Sequence, residues 1–193
     1  DYWHFAAHRS QFGSSNVIPI PHLEGMVGEP MVLTCEEDVK CLSNVCTHRG
    51  MIVADSQCDV KSLRCPYHGR TFGLDGCFRS MPEFGGVENF PSKSDDLFQF
   101  PTLEWNGIIF CGKVPPEFSS FIDELENRLG WMPISSFEHD QSRFRDYEIR
   151  ANWALYVDNY LEGFHIPFVH EGLHGVLDYD NYRTETFEGG VLQ

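Results

Sequence analysis

Two short segments of this 193-residue chain each offer one thiol and one imidazole, and this pattern limits the possible fold more than any other feature. Cys46-Thr47-His48 and Cys65-Pro66-Tyr67-His68 together read C-x-H-x16-C-x-x-H. Thiolates are soft donors that suit iron–sulfur chemistry, and imidazole suits iron or zinc. We therefore predict that the two segments are loops of one metal centre.

A Rieske-type [2Fe–2S] cluster needs two cysteines on one iron and two histidines on the other, and two mixed loops meet that requirement. The predicted cluster ligands are Cys46, His48, Cys65 and His68. Gly69 directly follows the second segment, and Gly50 follows the first after Arg49. A small residue there lets backbone N–H groups approach the bridging sulfurs, or it serves the turn alone, and both interpretations stay open.

Zinc is the competing metal. Zinc fingers usually pair C-x2–4-C with H-x3–5-H, so that each half contributes one residue type. The alternating Cys-His order of this chain differs from that arrangement, and it favours the iron–sulfur interpretation.

The two boxes resemble those of the Rieske family nearly residue for residue, over about residues 1–112: Cys46-Thr47-His48-Arg49-Gly50 and Cys65-Pro66-Tyr67-His68-Gly69-Arg70-Thr71-Phe72. Respiratory and photosynthetic members carry an additional cysteine in each box. Met51 and Tyr67 occupy those positions here. The resemblance therefore points to the oxygenase or ferredoxin branch of the family.

Charge and cysteine usage narrow the function classes. The formal charge of −15 disfavours binding to nucleic acid and to anionic membranes. The odd count of seven cysteines excludes a fully paired disulfide framework. The chain has no run of 18 apolar residues, so no transmembrane helix is expected. Its N-terminus also lacks the pattern of a signal peptide. We expect a cytoplasmic protein whose remaining cysteines are buried or incidental thiols: Cys35, Cys41, Cys58, Cys77 and Cys111.

The spacing of apolar residues along the sequence changes near residues 113–116. Before this point, short apolar runs alternate with turn signals such as Gly73–Gly76, which predicts an all-β unit. After it, apolar residues at helical spacing predict a helix that is capped by Ser119 or Ser120 and stops at Gly130. Residues 144–150 have the pattern of a strand, and residues 152–165 have the pattern of a half-buried amphipathic helix.

A second candidate site lies on this last helix. Asp158, Asn159, Glu162 and His165 share one stripe, which is either a solvated polar face or a face for ligands and proton relay. Pro167 disfavours helical geometry at the residue before it, so we expect a helix break that lets His170 approach His165.

Residues 158–170 resemble the iron-binding segment of Rieske oxygenase α subunits. By that resemblance, His165 and His170 are ligands of a mononuclear Fe(II), and Asn159 lies near the iron. Glu162 takes the place of the carboxylate, usually Asp, that bridges a neighbouring subunit's Rieske histidine to an iron-ligand histidine. A 2-His-1-carboxylate site also needs an Asp or Glu, which the family draws from a helix far downstream.

Neither Asp178 nor Asp180 matches the motif of that third ligand. We therefore expect the chain to be part of a longer oxygenase. A second motif overlaps the region, since His170-Glu171-Gly172-Leu173-His174 formally reads H-E-x-x-H, the zincin pattern. Zincins need a continuous helix, and Gly172 costs such a helix about 1 kcal/mol.

The resulting prediction is an α+β protein, with a Rieske all-β domain at residues 1–112 and the start of a helix-grip catalytic domain at residues 113–193. The predicted function is the oxygenase component of a Rieske non-haem iron oxygenase. Two alternatives stay open. One is a standalone Rieske ferredoxin-type carrier, against which residues 113–193 argue. The other is a zinc hydrolase that uses His170, Glu171 and His174.

The family resemblance also implies cofactors and partners. They are a [2Fe–2S] cluster, mononuclear Fe(II), O2, and NAD(P)H acting through a separate reductase or ferredoxin donor. A cyclic homotrimer is expected, because the family transfers electrons between subunits. Residues 158–165 are similar to those of members that act on quaternary amines such as choline or carnitine, and an aromatic acid or ring is an equal alternative.

Overall fold

The computed structural model describes residues 3–113, 117, 119–187 and 190–193. The chain forms two compact units, of which the first comprises Asp1–Phe118 and Leu129–His139 and the second Ser119–Arg128 and Asp140–Gln193. The boundary that we predict near residues 113–116 lies largely outside the described residues and stays a prediction.

All the strands belong to antiparallel pairs. In chain order they are β1 (His4–His8), β2 (Val17–Pro19), β3 (Met31–Cys35), β4 (Val39–Ser43), β5 (Leu63–Arg64), β6 (Thr71–Phe72), β7 (Phe78–Ser80), β8 (Gln99–Phe100), β9 (Thr102–Trp105), β10 (Ile108–Cys111), β11 (Glu185–Phe187) and β12 (Gly190–Leu192). Among its described residues, the first unit contains three sheets, with the orders β1-β10-β9, β2-β3-β4-β8 and β5-β6-β7. This confirms the all-β prediction for the first part of the chain.

Local sequence explains several of these elements. The predicted turn at Gly73–Gly76 lies between β6 and β7, as expected. Asn106 and Gly107 join β9 to β10 with φ of +49° and +86°, the pair of positive values that a tight two-residue hairpin turn requires. β3 is a central strand, and four of its five residues are buried.

The core of the first unit has two parts, and β3 contributes to both. Leu33 packs into one cluster together with Phe100 and Ile109, whereas Val32, on the opposite face, packs into the other. That second cluster also contains Cys46 and Cys65. The predicted ligand loops therefore emerge directly from packed core.

The α-helices are α1 (Glu24–Val27), α2 (Ser119–Leu129), α3 (Trp153–Glu162), α4 (Ile166–Val169) and α5 (Glu171–His174). Short 3-10 turns cover Arg9–Phe12, Pro21–Leu23, Lys93–Asp95, Ile134–Ser136, Gln141–Arg143 and Tyr179–Asn181. α2 confirms the helix that was predicted to stop at Gly130. No helix among the described residues is long and apolar enough to cross a bilayer.

Three local predictions were wrong. Residues 144–150 form no strand. No strand of the described chain pairs with them, so their backbone N–H and C=O groups gain no inter-strand hydrogen bonds. The helix predicted over residues 152–165 ends at Glu162, since Gly163 adopts the left-handed conformation with φ +74°. Ile166 is helical despite Pro167, because proline is tolerated in the first turn of a new helix.

The surface of α3 also differs from the expected half-buried helix. Asn152 caps the helix by accepting a 2.9 Å hydrogen bond from the Ala154 N–H. The apolar stripe is exposed, with Trp153 at 62% and Tyr160 at 70% of their full accessibility. The class as a whole is α+β, as predicted.

Candidate metal centres

The two cysteine-containing loops share one backbone hydrogen-bond pattern. The Cys46 N–H donates to the carbonyl of Met51 at 2.8 Å, and the Cys46 carbonyl accepts from the Gly50 N–H at 2.9 Å. In the second loop, the Cys65 N–H donates to the carbonyl of Arg70 at 2.8 Å, and the Cys65 carbonyl accepts from the Gly69 N–H at 3.0 Å. The two loops therefore present their side chains in matching ways.

The four predicted ligand side chains group by type. Cys46 and Cys65 are buried, with 3% and 2% of their surface exposed. Burial raises the pKa of the Cys46 thiol, the adjacent Cys65 thiol raises it further, and the backbone N–H groups of His48 and Arg49 act in the opposite direction. The rings of His48 and His68 meet edge to face, with centroids 4.8 Å apart.

This arrangement fits a diiron cluster better than a single ion. Across the residues that the structure describes, no three Cys, His, Asp or Glu side chains converge on one point. Each iron of a Rieske cluster takes two protein ligands of one kind, and the structure groups the two cysteines and the two histidines in this way. The neutral imidazole needed for metal binding is favoured at His48, because desolvation, followed by the charges of His68, Arg49 and Arg70, lowers its pKa.

Several residues around the loops were not anticipated from the sequence. Phe84 meets the His48 ring edge-on at 5.7 Å, and Tyr67 lies over His68 with ring centroids 3.8 Å apart. Arg70 is buried and forms an ion pair with Asp95. Since Asp95 lies 25 residues from Arg70 in the chain, no spacing rule could have linked the two.

The second candidate centre forms where α3 ends. Nδ1 of His165 forms a short hydrogen bond with Oε1 of Glu162, and the Phe164 N–H donates to Oε2 of the same carboxylate. Desolvation opposes ionisation of Glu162, but the bonds from His165 and Phe164 outweigh it, and the pKa of Glu162 lies below its ordinary value. The structure thus brings together two of the residues that were predicted from the polar stripe.

His165 and His170 also approach each other, with ring centroids 5.0 Å apart and ring planes at 71°. Both line a cavity of about 430 Å³ together with Asn159. Asp158 is not among the residues that line it, and Asp178 instead accepts a 2.7 Å hydrogen bond from Asn181. The break after α3 is what permits the approach of the two imidazoles.

The zincin arrangement is not formed. His170 lies outside α5 with φ −113° and ψ 66°, and its ring is paired with His165. His174 instead contacts the ring of Tyr179 at 5.8 Å. The two histidines of the H-E-x-x-H motif therefore do not lie on one continuous helix.

Comparison with known families gives two separate matches. The model of the Rieske [2Fe–2S] domain matches residues 3–91, and the model of the ring hydroxylating alpha subunit (catalytic domain) matches residues 136–190. In both parts the chain is similar to the α subunits of Rieske oxygenases. The first match contains both ligand loops, and the second contains the segment from α3 to α5.

Individual relatives show the same similarity to Rieske oxygenases. The chain is 30% identical over 187 residues to the carnitine monooxygenase oxygenase subunit of Escherichia coli (strain K12), which covers 93% of the chain and 49% of that protein. It is 26% identical over 204 residues to the chloroplastic choline monooxygenase of Beta vulgaris, covering 99% of the chain and 44% of that protein. The chain thus spans about half the length of the curated relatives it matches.

Solved structures show the same fold. The quaternary ammonium Rieske monooxygenase CntA, in its complex with L-carnitine, superposes with a TM-score of 0.77 at 26% identity, over 97% of this chain and 54% of that one. Naphthalene 1,2-dioxygenase from Rhodococcus sp. superposes with a TM-score of 0.67 at 22% identity, over 90% of this chain and 41% of that one. The second likeness concerns the fold alone.

Proposed function

We propose that this chain is the oxygenase component of a Rieske non-haem iron oxygenase, for O2-dependent hydroxylation or demethylation of a small organic substrate. The carrying observation is that one chain holds two separate histidine pairs, His48 with His68 and His165 with His170. An electron carrier needs the first pair alone. Bound at these two sites, a cluster would supply single electrons and a mononuclear iron would supply O2 activation.

Cys46, Cys65, His48 and His68 would hold the cluster, and His165 and His170 would hold the mononuclear iron. Glu162 orients His165: its carboxylate accepts a hydrogen bond from Nδ1–H, which leaves the Nε2 lone pair free to bind metal. The Phe164 N–H fixes the same carboxylate at the turn after α3. Glu162 would also connect this histidine to a Rieske histidine of a neighbouring subunit.

A quaternary amine is the substrate class that the cavity supports best. Tyr156, Tyr160 and Tyr182 line it, and aromatic faces attract cationic ammonium groups. Its described lining residues include no lysine or arginine that would repel such a cation. Relatives are named for choline and for carnitine, which are both quaternary amines.

The proposal includes the partners that the family resemblance implies. Electrons would come from NAD(P)H through a reductase or ferredoxin, and a cyclic homotrimer would bring the cluster of one subunit to the iron of the next. A cytoplasmic location is part of the proposal, because an odd number of cysteines fits a compartment that keeps thiols reduced.

Metal analysis of the anaerobically reconstituted full-length protein tests the proposal, because the carboxylate ligand of the mononuclear iron is expected downstream of Gln193. We expect a [2Fe–2S] cluster with labile sulfide and one further iron, which the double variant His165→Ala/His170→Ala loses while it keeps the cluster. His174→Ala is the matched control and should retain all the iron. A chain that holds the cluster but no further iron would support the electron-carrier alternative, and zinc that depends on His174 would support the hydrolase.

The substrate class needs its own assay. Carnitine, choline and an aromatic acid are each added to the reduced chain, and O2 uptake and product are measured. Turnover of the aromatic acid alone would refute the quaternary-amine proposal, whereas turnover of either quaternary amine with loss of activity in Tyr160→Ala would support it.

A further inference from the structure

The first unit contains a buried ion pair beside the cluster loops. The Arg70 side chain is 3% exposed and is bound to the carboxylate of Asp95. Its guanidinium carbon lies 5.1 Å from the centre of the Phe78 ring and 5.4 Å from that of the Phe90 ring. Desolvating the two charges opposes the pair before their attraction is counted, so stability alone is a weak reason for it.

The pair connects one cluster loop to the other. The carbonyl of Asp95 accepts a 2.8 Å hydrogen bond from the hydroxyl of Thr47, which lies between the predicted ligands of the first loop. The carbonyl of Arg70 accepts the 2.8 Å hydrogen bond from Cys65 in the second loop. A continuous path therefore runs from Thr47 through Asp95 and Arg70 to Cys65.

Asp95 is itself fixed in place. The Ser92 N–H donates to Oδ2 of Asp95 at 2.7 Å, and the Asp95 N–H donates back to the Ser92 carbonyl at 3.0 Å. Desolvation opposes ionisation of Asp95, but the bonds from Ser92 and Arg70 outweigh it and hold the pKa of the carboxyl below its ordinary value. Asp95 is therefore an anion at neutral pH, held opposite a permanent cation.

We propose that Asp95 and Arg70 are positioning residues of the cluster site, which tie the two ligand loops together and set the cluster's reduction potential through their opposite charges. The inference rests on the proposed function, because it requires a [2Fe–2S] cluster on the two loops. One-electron reduction adds one negative charge to the site. A nearby buried cation therefore favours the reduced form, and a nearby anion favours the oxidised form.

Redox titration of the reconstituted full chain with dithionite, followed by visible absorption and paramagnetic resonance, tests the charges. Asp95→Asn leaves Arg70 unbalanced and should shift the midpoint potential upward. Arg70→Gln leaves Asp95 unbalanced and should shift it downward, and the double variant should return towards the unmodified value. Arg79→Gln removes one member of an exposed ion pair in the same unit and should cause no shift.

The tie between the loops has a separate test. Thr47→Val removes the hydroxyl bond to Asp95 while it keeps both charges. It should speed cluster loss to an iron chelator several-fold, with little change in potential. Thr71→Val is the control, since the Thr71 hydroxyl bonds within its own loop, to the Gly69 carbonyl at 3.1 Å.

The outcomes separate this inference from the proposed function. An unmodified chain without a visible or paramagnetic cluster signal would refute the proposed function. A chain with those signals refutes the inference if the two charge variants shift the potential in the same direction or not at all. If Arg70→Gln does not retain the cluster, Asp95→Asn and Thr47→Val still decide, because an unchanged potential in the first or an unchanged release rate in the second contradicts the proposal.

Discussion

Gly50 and Gly69 hold the same position in the two cysteine-containing loops: each has φ +72°, and each donates its N–H to the carbonyl of the cysteine four residues earlier. An L-residue in this left-handed conformation costs about 1–2 kcal/mol, whereas glycine adopts it freely. The turn alone is therefore sufficient reason for glycine at both positions. An approach of backbone N–H groups to bridging sulfurs stays a prediction.

Replacing Gly69 by Ala should destabilise the Rieske unit more than the same change at Gly50. Both variants incur the left-handed cost of about 1–2 kcal/mol. At Gly69 the new Cβ would also lie 3.2 Å from Nη2 of Arg64 and 3.4 Å from Cγ of Pro82, whereas at Gly50 no atom lies closer than 4.0 Å. Urea unfolding measures the difference. Gly85→Ala, in open space, is the control, and equal losses at the two loop positions would contradict the steric argument.

Glu162→Gln should weaken Fe(II) binding by about 10- to 100-fold, the usual cost of losing a carboxylate that orients a ligand histidine. The amide cannot supply the negative charge that stabilises the Nδ1–H form of His165. Competition with a chelator under anaerobic conditions measures the affinity. Asp158→Asn changes another carboxylate of α3 and should leave the affinity unchanged, and a similar loss in both variants would show that only the general negative charge matters.

Much of the candidate cluster site could be predicted, because the sequence signals for it lie within short segments of the chain. The predicted ligands lie within two segments of three and four residues, and each loop repeats one backbone pattern over six residues. The turn at Gly73–Gly76 and the helix α2 follow from local signals in the same way. Local chemistry was thus a sufficient guide to side chains that the structure brings together, and their role as metal ligands stays a prediction.

The residues that support the site could not be predicted, because their contacts are set by the tertiary fold. Asp95 reaches Thr47 across 48 positions of the chain. At residues 144–150 the pattern of a strand was present, but a strand needs a partner, which the pattern does not supply. Gly163 was visible in the sequence, yet the amphipathic stripe continued past it to Phe164 and suggested a longer helix.

The pH dependence of stability should reveal Asp95. Its pKa is lower in the folded chain than its ordinary value of 3.8, so its contribution is complete well above 3.8 and is lost as the pH falls through the lower, folded value. Urea unfolding of the unmodified chain should therefore show a loss of stability on the acid side. Asp95→Asn should flatten this acid limb, while Asp38→Asn, at an exposed turn, should not. An acid limb that is unchanged in Asp95→Asn would show that other carboxylates dominate.

The side chain of Tyr182 packs against the turn that follows α3. The ring of Tyr182 packs directly on Gly163, where an added Cβ would lie 2.7 Å from Cε1 of the tyrosine. The Tyr182 hydroxyl donates to Oε1 of Gln193 at 2.6 Å, and Nε2 of Gln193 donates to the Tyr160 carbonyl at 2.9 Å, so the ring has little freedom to move away.

Gly163→Ala should therefore be costly for two reasons, the left-handed backbone at about 1–2 kcal/mol and the collision with Tyr182. Adding Tyr182→Ala removes the collision and leaves the backbone cost, so the double variant should lose less than the sum of the two single losses. Urea unfolding of the four chains gives this coupling energy, and Tyr182→Phe, which retains the ring, should give no such relief. Additive losses would mean that the ring gives way to the new methyl group, and that Gly163 is required by its backbone conformation alone.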